Sequence, residues 1–454
     1  MIVREEFRIL SATAILGYGF PLESFEEGMK RKPHLIAVDA GSTDPGPFYL
    51  GEGVSFTDRG AVKRDLEIMI CTGIREGIPV VIGTAGGSGA EPHLEWCADI
   101  IREIAKEHNL HFKMALIHAD MDKEKMKKAL AEGKITPLDP APPLTAEDID
   151  QTTHIVGQMG IEPIMKALDE GVDVVLAGRA YDPTVFAAPA IRKGYDKGLA
   201  IHLGKILECA SICATPGSGS DCMFGYLGED YFRVEPLSSV RKCTTLSVAA
   251  HTLYEKTNPY ILPGPGGHLD LTDTTFEQDS ENTVKVKGSR YVTAPKYTIK
   301  LEGAKCIGYR TVSVAGTRDP IMIQKIDDIV EGVRDRVADN YRDKGYRYSL
   351  NFTIYGKNGV MGDLEPIKDA QPHELGVVIE VVADTQEQAD TICASARSTM
   401  LHYGYEGRRA TAGNLAFPFS PSDFHAGRVY VFSMYHIIAT EDPTALFPIE
   451  IVAI

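Results

Sequence analysis

The chain has 454 residues, 44% of them hydrophobic and 24% charged, which is enough apolar material to bury more than one core. Its 63 acidic residues outnumber 47 Lys and Arg, giving a formal net charge of −16. Without a basic stripe to displace counterions, this balance argues against a nucleic-acid partner, and an anionic membrane surface would repel the chain. Met1–Arg8 lacks the layout of a signal peptide, and no apolar run reaches the roughly 18–20 residues of a membrane span. The eight cysteines show no CxxC spacing, so reduced thiols and a cytoplasmic location are expected.

Short apolar runs alternate with helical patterns through the first two hundred residues. His34–Asp39 runs into Ala-Gly-Ser42-Thr-Asp44-Pro, and Pro79–Gly83 into Thr-Ala-Gly86-Gly87-Ser88-Gly89. Leu94, Cys97, Ala98, Ile101 and Ile104 then recur at helical spacing. Lys113–Ile117 leads to His118 and Asp120, His154–Val156 to Gln158, and Val172–Ala177 to Arg179 and Asp182. Apolar strands separated by helices predict βαβ units and one parallel sheet covered on both faces. Its right-handed crossovers would bring all five polar strand ends to one edge. Beyond Thr215 strand-like runs follow one another, among them Tyr231–Val234, Tyr297–Leu301, Ile307–Val314, Tyr348–Tyr355, Leu375–Ala383 and Arg428–His436. Helices are predicted over Ile321–Tyr341 and Thr385–His402, and a loop over Ile261–Gly267. The expected organisation is an α/β, doubly wound parallel-sheet domain over 1–215, an α+β extension over 216–345 and a small α+β C-terminal domain over 346–454.

Ligands of open parallel sheets bind beyond the carboxyl ends of the strands. Asp39, Asp44, His118 and Asp120 are therefore candidates for proton transfer, and each is equally suited to cap the helix that follows. Ser42, Gln158, Arg179 and Asp182 are candidates for holding a substrate. Gly86, Gly87, Ser88 and Gly89 follow a strand and precede a helix, so their backbone N–H groups are candidates for cradling an anion. The loop is neither a Walker A nor a GxGxxG motif. His202, Lys205 and Cys209 share one helical face with Glu208 beside it, which groups a base, an ammonium and a carboxylate. His93, His118, Asp120, His202 and Glu208 are metal-binding types, but no HxH or HExxH spacing links them and no metal is assigned. The loop Gly407–Asn414 is a candidate for closing a cleft.

Three stretches resemble the acyclic terpene utilisation (AtuA-like) family: His154-Ile-Val-Gly-Gln-Met-Gly160, Val175-Leu-Ala-Gly-Arg-Ala-Tyr-Asp-Pro183 and His202-Leu-Gly-Lys-Ile-Leu-Glu-Cys-Ala210. The resemblance implies an α/β N-terminal part, a smaller α+β C-terminal part and catabolism of small branched acids as coenzyme A thioesters. Residues and resemblance together lead us to expect a catabolic lyase, hydratase or isomerase acting on a small carboxylate or acyl-CoA thioester. The alternatives are a hydrolase, with a divalent metal left open, and a non-catalytic metabolite-binding or assembly protein. The expected partners are a small-molecule substrate and further copies of the chain, with no cofactor beyond coenzyme A carried by the substrate.

Overall fold

Leu35 and Ala37 face one side of a sheet and Ile36 and Val38 the other, all fully buried, as a central parallel strand requires. The computed structural model describes residues 5–409 and 412–454. Strands β1 (Phe7–Ser11), β2 (Leu35–Asp39), β3 (Val80–Gly83), β4 (Lys113–Ile117), β5 (Ile135–Pro137), β6 (His154–Gly157), β7 (Val174–Ala177) and β8 (Met223–Leu227) open the chain. β1, β2, β3, β7 and β4 lie side by side in that order and pair in parallel. β8 pairs antiparallel with β1, and Ile449–Ala453 pairs antiparallel with β4 at the other end.

Helices cover both faces. One core joins Ile36, Val38, Val80 and Ile82 to Leu66, Met69 and Ile70 of helix Arg59–Glu76 and to Leu94, Ile101 and Ile104 of helix Glu91–His108. The other joins Leu35, Ala37, Val81 and Val175 to helices Thr184–Arg192 and Lys197–Leu207. Each fully buried Leu, Ile or Val contributes about 1.5–3 kcal/mol, so these two layers hold the strand ends in place. The fold is α/β and doubly wound, as the strand–helix alternation predicts.

Several elements differ from expectation. β6 is absent from the parallel sheet, because β4 pairs directly with β7; β6 instead pairs antiparallel with Leu301–Ala304. The fully buried Val-Val-Leu-Ala of β7 suits the interior position, whereas β6 begins with a half-buried histidine. Strands β1, β5 and β8 and the strand Ile449–Ala453 are additional to those the sequence pattern predicts. Ile261–Gly267 is a hairpin arm rather than a plain loop, with Ile261–Gly264 paired to Gly267–Asp270. Pro263 is tolerated because its strand pairs on one side only.

The chain forms two compact units, 1–305 with 432–454, and 306–431. The division expected near residue 215 falls inside the first, and the one near 345 inside the second. In the second unit, Leu375–Ala383 pairs antiparallel with Tyr309–Thr317 on one side and Tyr348–Tyr355 on the other. Helices Ile326–Tyr341 and Gln386–Leu401 share its core through Ile329, Val333, Ile392 and Met400. No helix among the described residues is long and apolar enough to cross a membrane.

Candidate functional site

The register fixes where the strand ends point. Ala37 pairs with Val81, Val81 with Val175 and Ala115 with Val175, so Asp39, the Gly83–Gly89 loop, His118 and Arg179 emerge along one edge. Two polar groups form there.

The larger surrounds Arg179, only 2% exposed. Its Nε donates to Glu302 Oε2 at 2.7 Å, and its Nη1 to Asp182 Oδ1 at 3.0 Å and to the Ala180 carbonyl at 2.8 Å. Glu302 also accepts from Lys300 Nζ at 2.7 Å and from Thr43 Oγ1 at 2.8 Å. Burial opposes ionisation of Glu302, but Arg179 and Lys300 outweigh it and hold the carboxyl down at about 2. Arg179 is likewise held charged by Glu302 and Asp182 against its burial.

Asp39 sits in the same field. Burial, then the charges of Asp182 and Glu208, raise its carboxyl well above the usual range, although Arg179 opposes them. Glu208 follows the last turn of helix Lys197–Leu207 and pairs with Lys205 one turn back through a short contact. Burial pushes Glu208 up to about 7 despite that lysine, with Asp182 adding to the shift. Its second oxygen, Oε2, is buried without a hydrogen-bond partner. Lys205 stays protonated, because Glu208 outweighs the cost of burying it. Burial and the Glu208 charge raise the Cys209 thiol, which makes it a poor nucleophile. Asp39, Asp182, Glu208 and Glu302 thus share one cluster with Arg179, Lys205, Lys300 and Lys256.

The second group lies at the ends of β4 and β6. His118 Nδ1 meets Glu91 Oε2 at 2.8 Å, and His154 Nδ1 lies 3.5 Å from Asp120 Oδ1. Asp120 Oδ2 accepts the backbone N–H of Glu91 through a short contact, so the chain's own carboxylate occupies the N-terminus of helix Glu91–His108. That occupancy weakens the anion-cradle expectation. So do the loop's own bonds, since the N–H groups of Thr84, Ala85, Gly87 and Gly89 all donate to backbone carbonyls. A side chain at Gly87 (φ +102°) would meet the Phe56 ring at 2.7 Å, and one at Gly89 (φ +71°) would overlap the Arg179 backbone. Gly86 is closed off by His93 in the same way. Ser88 Oγ remains buried and unpartnered.

The remaining candidates make other contacts. Ser42 Oγ donates to the exposed Asp44 at 2.8 Å in a local turn. Gln158 is buried, and its N–H donates to the Lys300 carbonyl at 2.8 Å. His202 has both ring nitrogens engaged, Nδ1 with Ser289 at 2.7 Å and Nε2 with Thr252 at 3.0 Å. Burial and Lys205 depress it to about 3, which holds the ring neutral. Among the described residues no three His, Cys, Asp or Glu side chains are grouped to hold a metal ion. Arg408 Nε donates to Asn414 at 2.7 Å within the loop expected to close a cleft, of which residues 410 and 411 lie outside the described residues, as do residues 1–4 of the amino-terminal stretch. Sequence reasoning missed Lys300, Glu302, Thr43, Tyr181 and Lys256. Lys300 and Glu302 carried a signal, since two charges alternate with buried Ile299 and Leu301 in one strand.

The fold and site define a doubly wound α/β protein whose strand ends enclose a buried, mixed-charge cluster. The description of the acyclic terpene utilisation family protein AtuA matches residues 60–221 and 238–422, most of the chain, and the chain belongs to that family. No curated protein and no solved structure matches it.

Proposed function

We propose that the chain is an acid–base enzyme of lyase, hydratase or isomerase type, acting on a small carboxylate or its coenzyme A thioester. The observation that carries this reading is Glu208, buried beside a protonated lysine, lifted to about 7 and left with one free oxygen. A general acid or base works best when its pKa lies near the operating pH, and burial is the usual means of raising a carboxyl that far. Glu208 would take or give the proton next to the substrate carbonyl, and Lys205 would stabilise the charge that develops on its oxygen. Asp39 is the second carboxyl available to carry a proton. Arg179 is engaged by Glu302 and Asp182, so its part is to set the field of the cluster rather than to grip a substrate as expected.

The test is proton exchange. A panel of small carboxylates and acyl-CoA thioesters is incubated with the protein in D2O, and loss of the proton α to the carbonyl is followed by NMR. We expect exchange on at least one member and its loss by about a hundredfold or more in Glu208→Gln, the usual contribution of general acid–base catalysis. Exchange that survives in Glu208→Gln would remove Glu208 from the reaction.

A further inference from the structure

The cations of the cluster are not equivalent. Arg179 and Lys300 are tied to Glu302, and Lys205 to Glu208. Lys256 has no salt bridge among the described residues. Its Nζ lies 6.0 Å from the centre of the Tyr181 ring, in the field of Lys205, Glu208, Asp182 and Glu255. The preceding residue, Glu255, has φ +60°, a left-handed conformation that is uncommon outside glycine and concentrates at functional sites. Nearby, the His251 ring stacks on Tyr254 at 5.5 Å, and Lys205 Nζ lies 5.5 Å from the same tyrosine ring. His251 Nε2 and Glu208 Oε2 are both buried without partners. The cluster thus holds an amine without an ion pair and two buried polar atoms without partners, groups that a small polar carbonyl compound can engage.

We infer that Lys256 is an amine nucleophile that forms a Schiff base with the aldehyde or keto group of a small carboxylate substrate. The inference builds on the reading of Glu208 as a proton carrier. Lys256 is half-buried; its partial burial, and then repulsion from Lys205, lower its ammonium, while Glu208, Asp182 and Glu255 pull the other way. A desolvated lysine beside a second cation is a recognised way to activate an amine toward carbonyls. The Nζ lone pair attacks the carbonyl carbon, forming a C–N bond and breaking the C–O π bond. The oxygen takes one proton from the carboxylic acid of Glu208 and a second from the nitrogen, and leaves as water. The product is a protonated imine with Glu208 as carboxylate. That imine draws electrons from the adjacent carbon, and Glu208 is then the base placed to receive its proton.

Reductive trapping tests this directly. Wild-type protein is incubated in turn with pyruvate, acetoacetate and glyoxylate in the presence of cyanoborohydride, and the reduced adducts are located by mass spectrometry. We expect one adduct per chain at Lys256, formed before the exposed Lys30 reacts, and its loss in Lys256→Arg. In Glu208→Gln the adduct should form about a hundredfold more slowly, the scale of a missing general acid. Adduct formation at Lys256 that is unaffected by Glu208→Gln would uphold the imine and overturn the role of Glu208. Labelling of Lys256 no faster than Lys30 would overturn the imine, while leaving the exchange test of Glu208 to stand on its own.

Discussion

Glu302 and Glu208 are both buried carboxyls in one cluster, and they differ because of their neighbours. Glu302 receives Arg179, Lys300 and Thr43, whereas Glu208 receives Lys205 alone and keeps one oxygen bare. Glu302 is therefore a structural anion. Its folded pKa of about 2 lies below the ordinary 4.5, so its stabilisation is present above pH 4.5 and is lost as the pH falls toward 2. Glu302→Gln should cost about 3 kcal/mol in urea unfolding at pH 7, the low end for a broken buried pair, because Arg179 loses its closer carboxylate and keeps Asp182. Replacing both partners, as Arg179→Met with Glu302→Leu, should recover much of that loss. A single-variant cost under about 1 kcal/mol would show that the pair contributes no more than an exposed one.

At the scale of the element, the glycine loop shows where sequence reasoning stops. A strand–glycine–helix pattern is read equally well as an anion cradle or as tight packing, because both need a backbone without side chains. What decides between them is long-range: Asp120, from the end of another strand, supplies the carboxylate at the helix N-terminus. Gly89 shows the packing use, since its carbonyl accepts the Arg179 N–H at 3.1 Å and an added Cβ would collide with that backbone. Gly89→Ala should therefore cost roughly 4–5 kcal/mol, the upper end for a single substitution, measured as a lowered denaturant midpoint. A variant with wild-type stability would mean that the loop relaxes freely and that its glycines serve a ligand. The pairing of Lys205 with Glu208, just past the end of their helix, was legible for a simpler reason, because the two are three residues apart and their proximity is local.

For the whole molecule, the alternation of strands and helices made the α/β class and the shared polar edge legible. The charged cluster was half legible. Asp39, Arg179, Asp182, Lys205 and Glu208 follow from strand ends and one helix, but Glu302 is brought to Arg179 from 123 residues away. No local pattern records that meeting, and the same holds for Lys256. The proposed reaction depends on Glu208 carrying a proton near neutrality. Because its folded pKa lies above the ordinary 4.5, the stability this group contributes is present below pH 4.5 and is lost as the pH rises through about 7. The direct measurement is a 13C NMR titration of the glutamate carboxyls in wild type and Glu208→Gln. One resonance should titrate near 7 and vanish in the variant; a Glu208 resonance that titrates near 4.5 would mean that Glu208 carries no proton at neutrality.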